Sequence, residues 1–316
     1  MDTVGLIGLG NMGSGMAANL RRAGFPLVVH DTRPEAVAAV VATGARAAMS
    51  AAEVAQLADV TLTSLPGPPE VEAVAVGPAG LLEGIRPGSV WIDTSTSRPT
   101  LIRQLERRFR DKGAHVLDAP VSGGKTGAQT RNLAVMVGGE RAVFDRVRPV
   151  LDAIGDKVFH AGAIGAGSVC KLVHNMIGHG IRQAVIEGLT LGVKAGVDAE
   201  AVWECVRRGA AGRMHLLHEG LPRTLFQGRF DPPTFALALA RKDIGLAIEL
   251  GREFDVPLPV AALAEQIAIA AMNRGWAGLD TNVTMRLQEE AAGVEVRAPR
   301  VDPARAARFI TTHPDA

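Results

Sequence analysis

The segment Gly8-Leu9-Gly10-Asn11-Met12-Gly13 constrains the fold of this chain more than any other, because of where it stands. It follows the apolar run Val4–Gly8 and leads into a segment of helical composition, Met12–Ala23. A Gly-x-Gly-x-x-Gly segment between a strand and a helix is the fingerprint of dinucleotide binding, since its glycines allow a tight turn and a close approach of the backbone to a pyrophosphate. The segment therefore predicts a dinucleotide site; the alternative is a glycine-rich turn without a ligand.

The rest of the first half alternates short β-rich runs with helical segments such as Pro34–Thr43 and Arg98–Lys112. This alternation is typical of βαβ units on a parallel sheet, so we expect an α/β, doubly wound Rossmann domain. The expected strands are Val4–Gly8, Pro26–Asp31, Val60–Leu65, Ser89–Asp93, His115–Ala119 and Ala134–Val137.

After about Gly162 the strand-like runs end, and long segments of Ala, Leu and Ile at helical spacing follow. A chain of 316 residues exceeds what one hydrophobic core usually fills. We therefore expect a Rossmann domain over residues 1–163 and an all-helical domain over residues 164–316. The first helix of the second domain, about Ala166–Ala195, would be roughly 45 Å long and could bridge both domains, with a cleft where they meet.

The composition argues against several classes of protein. Basic and acidic side chains nearly balance, at 34 and 33, so neither nucleic acid nor an anionic membrane is an expected partner. No apolar run is long enough to span a membrane. The two cysteines, Cys170 and Cys205, are too few for a disulfide framework and lack zinc spacing, so we expect a cytoplasmic protein without a metal. The last dozen residues are expected to be poorly ordered or to form a docking arm.

Asp31 closes the second expected strand, where a carboxylate can accept hydrogen bonds from the adenosine ribose and repel a 2′-phosphate. This favours NAD. Arg33 could instead pair with that phosphate, so NADP stays open, as does a solvated loop charge. The loops Ser64–Pro66 and Asp93–Thr96 follow two further strands and could hold the nicotinamide end, although Ser and Thr in such places also act as helix caps.

The loop from Asp118 to Gly124 exposes glycine N–H groups that could hold a carboxylate, unless it is an ordinary turn. Farther on, Lys171 and Asn175 stand four residues apart on one helix face, among apolar neighbours. A buried lysine is costly unless it is used or paired. Lys171 could exchange a proton with the hydroxyl of a substrate during hydride transfer, or it could pair with an acid across the domain interface.

Four motifs in order resemble the β-hydroxyacid dehydrogenase family, and in particular 3-hydroxyisobutyrate dehydrogenase-like members. They are Gly5–Gly13, Asp118–Gly124, Gly162–Asn175 and Lys242-Asp243. The resemblance implies a Rossmann domain, a helical domain that builds a homodimer or homotetramer, and NAD(P)-dependent interconversion of a small 3-hydroxy acid and its semialdehyde.

The resemblance also implies roles for individual residues. Lys171 would be the catalytic lysine, with Asn175 as its companion, and Ser122, Gly123 and Gly124 would hold the substrate carboxylate. Phe235 would wall the substrate pocket, with Asp243 as a neighbour. The cofactor would contact Gly8, Leu9, Gly10, Asn11, Met12, Gly13, Asp31, Arg33, Leu65, Pro66, Thr96 and Lys242. From the residues alone, Lys242 and Asp243 would be interpreted as an ion pair on a helix surface.

The chain departs from the family pattern at two places. It has Arg131-Asn132 where Gly-Thr is frequent, and His174 where an asparagine is common. An added cation or imidazole near the pocket could favour a longer or more polar acid than 3-hydroxyisobutyrate. The alternative functions are a glyoxylate, semialdehyde or imine reductase that uses NADPH on the same scaffold, and an inactive NAD-binding protein. Lys171 argues against the imine version, in which another residue is common at this position.

Overall fold

The computed structural model describes residues 2–304 and 306, and the backbone alone of Leu246. The chain divides into two compact units, Met1–Ile177 and Gly178–Ala316, and the division falls inside one long helix, Ala166–Lys194. The boundary after residue 163 stays a prediction. The expectation for the last dozen residues concerns positions that, apart from Ala306, lie outside the described residues.

The first unit is built on a nine-stranded sheet with the order β3-β2-β1-β4-β5-β6-β8-β7, in which β9 pairs with β8. Strands β1 to β6 are parallel, whereas β8 runs antiparallel to β6 and β7. The strands are β1 Val4–Ile7, β2 Leu27–His30, β3 Arg46–Ala47, β4 Val60–Thr63, β5 Val90–Asp93, β6 His115–Asp118, β7 Val121–Ser122, β8 Ala134–Gly138 and β9 Lys157–Gly162.

Helices follow most of these strands, as βαβ connections require. They are α1 Gly13–Arg22, α2 Pro34–Val41, α3 Ala51–Leu57, α4 Pro68–Val76, α5 Leu81–Gly84, α6 Pro99–Arg110, α7 Gly124–Thr130, α8 Arg141–Ile154 and α9 Ala166–Lys194. The expected α/β class is confirmed, and the six expected strands are present. The short strands β3 and β7 and the edge strand β9 were not expected from the sequence.

Both faces of the central strands β1, β4 and β5 are buried, which is why these strands are rich in apolar side chains. Successive side chains of β5 point to opposite faces, so Val90 and Ile92 pack in one core cluster and Trp91 in the other. Trp91 stacks at a tilt on Phe109 of α6, with ring centroids 4.8 Å apart. Burial on both faces holds the central strands in place and so positions the loops that follow them.

The second unit is helical, and its described residues contain one isolated β-bridge, between Ala236 and Asp280. Its core gathers Leu225, Phe230, Leu237 and Val283 with residues of α13. The α-helices are α10 Ala199–Arg208, α11 Leu221–Arg223, α12 Leu237–Glu253, α13 Pro259–Met272 and α14 Met285–Ala292, with a π-helical segment at Leu216–Gly220 and 3₁₀ turns at Leu225–Gln227 and Thr281–Thr284. Across residues 2–304 and 306, no helix combines the length and apolar character needed to cross a bilayer.

Candidate active site

The carboxyl ends of the central strands lie in one row. Ile7 of β1 is opposite Thr63 of β4, Thr63 is opposite Asp93 of β5, and Asp93 is opposite Asp118 of β6. The loops after these strands therefore emerge side by side along one edge of the sheet. This is the edge at which open α/β sheets bind their ligands.

The turn after β1 requires glycine for two reasons. Gly8 has a φ of +90°, and a Cβ at Gly8 or Gly13 would collide with backbone carbonyl oxygens, of Ser64 and of Gly8 itself respectively. Gly10 differs, because a Cβ there would meet only Arg33 Nη2, at 4.0 Å. The fold therefore needs Gly8 and Gly13, while the open side of Gly10 fits the close approach of a pyrophosphate.

Asp31 directly follows β2 and holds this turn in place. Its carboxylate accepts hydrogen bonds from the backbone N–H groups of Leu9, at 2.6 Å, and of Arg33, at 2.9 Å, and pairs with Arg33 Nε at 3.1 Å. Burial opposes the charged form, but the hydrogen bonds from Arg33 and Leu9 outweigh it, so the pKa of Asp31 lies below its ordinary value. Leu9 itself is buried in the core, and Asp31 takes its N–H.

A cavity of about 660 Å³ opens above this turn. It is bounded by the glycine turn and by the ends of β2 and β4, so most of the predicted cofactor residues meet there. The lining residues are Ile7, Gly8, Gly10, Asn11, Met12, His30, Asp31, Thr32, Arg33, Ser64, Leu65, Pro66, Glu70, Ala73 and Val74. Ser64 belongs to the Ser64–Pro66 loop named in the sequence analysis, whereas Thr32 was missed, although its position just after a strand could have indicated it.

A buried hydrogen-bond network ties the loops after β4 and β5 together. Asp93 accepts from Thr63 Oγ1 at 2.8 Å and from the N–H of Ser95 at 3.1 Å, and Ser95 Oγ accepts from the N–H of Leu65 at 2.9 Å. Burial raises the pKa of Asp93 to about 6, although its hydrogen bonds partly offset this. The network ties Leu65 to Ser95, the residue before Thr96, and sequence reasoning did not identify Ser95 as the link.

A second cavity, of about 290 Å³, adjoins the first and shares four residues with it. Its wall combines the loops after β4 and β5, the loop around β7, and Lys171. The shared residues are Met12, Ser64, Leu65 and Pro66, and the others are Thr94, Ser95, Thr96, Val121, Ser122, Gly123, Gly124 and Lys171. The predicted cofactor turn, carboxylate loop and lysine thus border two adjoining cavities of the first unit.

Lys171 is only 9% exposed, and burial lowers the pKa of its amine. Among the described residues, no carboxylate forms an ion pair with it. The start of its helix is anchored by buried Asp118, which accepts from the N–H groups of Gly165 at 2.7 Å and Ser168 at 2.6 Å. Gly167 packs directly on the sheet backbone. The amine is therefore desolvated and carried by a fixed helix.

The predicted carboxylate loop is formed by Ser122 on β7 and by Gly123 and Gly124, whose φ angles of +140° and +63° suit glycine. A Cβ at Gly124 would meet nothing within 4 Å, so its backbone is open to a ligand. Ser122 Oγ lies 2.9 Å from Nε2 of His174, which the sequence analysis noted only as a departure from the family pattern. Asn175 is half-buried on the same helix.

The remaining predicted residues lie in the second unit. Phe235 is 42% exposed, and buried Asp280 holds its loop by accepting hydrogen bonds from the N–H and the hydroxyl of Thr234. Lys242 pairs with its neighbour Asp243 at 2.8 Å on the exposed side of α12. Their roles stay predictions. Within the described residues, no three His, Cys, Asp or Glu side chains are gathered as a metal site.

Comparison with known proteins agrees with this arrangement. Residues 3–162 match a family model described as the NAD binding domain of 6-phosphogluconate dehydrogenase, and residues 165–287 match one described as NAD-binding of NADP-dependent 3-hydroxyisobutyrate dehydrogenase. A 2-(hydroxymethyl)glutarate dehydrogenase of Eubacterium barkeri is 38% identical over 93% of this chain and 97% of its own. The chain belongs to the β-hydroxyacid dehydrogenase family. The resemblance inferred from the four motifs is thus confirmed.

Solved structures place the fold in the same family. A 3-hydroxyisobutyrate dehydrogenase of Mycobacterium tuberculosis, solved with L-serine, is 32% identical, covers 91% of this chain and 99% of its own, and superposes with a TM-score of 0.63. An imine reductase of Myxococcus stipitatus in complex with NADP⁺ covers 90% and 99% with a TM-score of 0.79, but at 17% identity it shows the fold alone.

Proposed function

We propose that the chain is an NAD(P)-dependent oxidoreductase that interconverts a small 3-hydroxy acid and its semialdehyde, with Lys171 as the catalytic residue. The observation that carries the proposal is the position of the Lys171 amine. It lines a small cavity that shares a wall with the cavity above the glycine turn, and the carboxylate loop forms another part of the same lining. Oxidation of a hydroxy acid requires all three features: a cofactor site, a loop that binds the carboxylate, and an amine that exchanges the hydroxyl proton.

Different residues of the first unit bind the substrate carboxylate and exchange the hydroxyl proton. The backbone N–H groups of Gly123 and Gly124, with the Ser122 hydroxyl, hold the substrate carboxylate. In oxidation the neutral Lys171 Nζ accepts the hydroxyl proton, and in reduction the ammonium returns a proton to the carbonyl oxygen. Asn175, one helical turn on, orients the amine or contacts the substrate oxygen. When bound, the nicotinamide ring supplies the acceptor or donor of the hydride.

Burial makes the Lys171 amine better suited to accept a proton. A lysine of ordinary pKa is almost wholly protonated near neutral pH and is a poor base. Desolvation lowers the pKa of Lys171, which increases the fraction of neutral amine at any given pH. A partner carboxylate would have the opposite effect, and the part of the chain that the structure describes provides none.

The cofactor is NAD, and NADP is a possible second cofactor. Asp31 lies at the end of β2, where its charge favours a ribose diol over a 2′-phosphate. Arg33 is held by Asp31 and is more than half exposed, so it could turn toward a phosphate once that pair opens.

The substrate class follows from the site and from the relatives. The relatives named above act, by their names, on 2-(hydroxymethyl)glutarate and 3-hydroxyisobutyrate. Both are carboxylic acids that carry a hydroxyl on the third carbon. The second cavity is small, at about 290 Å³, and contains one cation, which suits an acid of this size.

The proposed assembly is a homodimer or homotetramer. Several large apolar side chains of the second unit are 44% to 62% exposed, and a second copy of the chain could cover them. They are Trp203, Leu216, Leu217, Leu239 and Leu263. Light scattering coupled to gel filtration measures the state directly. The unpaired thiols of Cys170 and Cys205 suit the proposed cytoplasmic location.

The test of the proposed reaction follows absorbance at 340 nm over a panel of 3-hydroxy acids with NAD and with NADP. Lys171→Ala should fold, bind NADH as tightly as wild type, and lose about 100-fold to 10,000-fold in kcat. Lys112→Ala, which removes an exposed lysine of the same unit, is the matched control. Near wild-type turnover by the Lys171 variant refutes its role, and a wild-type protein inert toward every acid refutes the reaction.

A further inference from the structure

One side-chain contact of the site is not explained by the proposed reaction. Nε2 of His174 lies 2.9 Å from Oγ of Ser122, and the two residues are 52 positions apart in the chain. Ser122 is half-buried and lines the second cavity, whereas His174 is exposed and does not line it. His174 therefore reaches the carboxylate loop through Ser122.

This contact determines whether the Ser122 hydroxyl can donate a hydrogen bond to a ligand. A serine hydroxyl donates one hydrogen bond and accepts others. When His174 Nε2 carries a proton, it donates to Oγ, and the O–H of Ser122 is free for a ligand. When Nε2 is bare, it accepts that O–H, and Ser122 presents only lone pairs, which repel a carboxylate. Binding of a carboxylate therefore selects the form of His174 that is protonated at Nε2.

The contact also joins the two halves of the site. His174 stands three residues after Lys171, so both side chains lie on one face of α9. Ser122 is paired in the sheet with Ala134 of β8. The hydrogen bond thus links the helix that carries the amine to the strand that carries the carboxylate loop, and it helps to fix the distance between them.

We propose that His174 is a positioning residue that sets Ser122 as a hydrogen-bond donor to the substrate carboxylate, and so makes the site selective for acids over neutral alcohols. The inference rests on the proposed function and deepens it. His174 does not line either of the two cavities, so its loss should weaken substrate binding and leave the chemical step almost unchanged.

The experiment compares His174→Ala, Ser122→Ala and the double variant on the best 3-hydroxy acid and on its neutral amide. Either single variant should raise KM for the acid about 5-fold to 10-fold, the loss of one hydrogen bond to a charged group, with little change in kcat. The double variant should be no worse than Ser122→Ala, because both act through one hydroxyl. KM for the amide should stay near its wild-type value.

Two further variants separate positioning from a general structural effect. His174→Gln places an amide nitrogen near the position of Nε2 and should restore most of the lost affinity. His179→Ala removes another exposed histidine of α9 and should match wild type. Fluorescence titration should give the same NADH affinity for all variants.

The outcomes distinguish the inference from the function on which it rests. If wild type oxidises acids but His174→Ala leaves KM unchanged, or if the two substitutions are additive, the role of His174 is refuted and the reaction stands. An equal rise in KM for the acid and the amide also refutes it. If wild type oxidises no acid with either cofactor, the proposed function itself is refuted.

Discussion

Replacing Gly167 with alanine should displace the start of α9, the helix that carries Lys171, without altering the glycine turn after β1. Gly167 lies in the first turn of α9, against the backbone of β6 and β8. An added Cβ would stand 2.7 Å from the Asp118 carbonyl oxygen, 3.0 Å from the Gly138 nitrogen, and closer still to the Met136 carbonyl oxygen. These are sheet backbone atoms, which cannot rotate away as the end of a side chain could. The helix itself has to move.

The size of the movement sets the expected loss. Ordinary contact begins near 3.4 Å, so the displacement is on the order of 1 Å, and a misplacement of that size costs about 100-fold in rate. It also stretches the hydrogen bonds of Asp118 to Gly165 and Ser168. Overpacking of this kind destabilises the fold by about 1–3 kcal/mol. Lys171 lies one turn farther along, so kcat should fall about 100-fold while NADH binding persists.

The assay measures kcat, NADH affinity by fluorescence, and the melting temperature. Gly188→Ala is the matched control, because it makes the same substitution in the same helix where a Cβ would meet nothing within 4 Å. It should retain activity and gain about 0.5–1 kcal/mol of stability from helix propensity. A Gly167→Ala protein with near wild-type kcat and melting temperature would show that the start of α9 does not set the position of Lys171.

Two further predictions concern the cofactor and pH. Asp31→Asn removes the charge that repels a 2′-phosphate and releases Arg33, so fluorescence titration should show a shift toward NADPH of about 10-fold relative to NADH; equal losses for both would contradict this. Because burial lowers the pKa of Lys171 and oxidation uses its neutral form, the rate of oxidation should rise with pH through a midpoint below 10.5, and the rate of reduction should fall through it. A midpoint at or above 10.5 would show that the amine is not desolvated.

Local patterns in the sequence identify much of the first unit. The glycine turn after β1, the carboxylate after β2, and the lysine and asparagine on one helix face are short-range features, and each has a physical reason visible within a few residues. The spacing of apolar residues along the chain likewise predicts the α/β class and the long helix Ala166–Lys194. Strands of two residues, such as β7, offer no such period, so the sequence could not predict them.

The contacts that make these residues a site are long-range. Asp118 caps a helix that begins almost fifty residues later, and Ser122 meets His174 across a similar separation. Ser95 joins a loop thirty residues before it. A single sequence states the residue types at both ends of such contacts but not their distance, because the distance depends on strand order and on how closely a helix approaches the sheet.

The position of Lys171 is well defined because the start of its helix, α9, is anchored to the sheet. Asp118 ends β6 in register with the strands that carry the cofactor turn and the loop at Thr63, and the same carboxylate binds the first turn of α9. Gly167 then brings the helix backbone against the sheet without a side chain between them. Since a reacting group must be held within a fraction of an ångström, the proposed role of Lys171 depends on this direct anchoring as well as on the lysine itself.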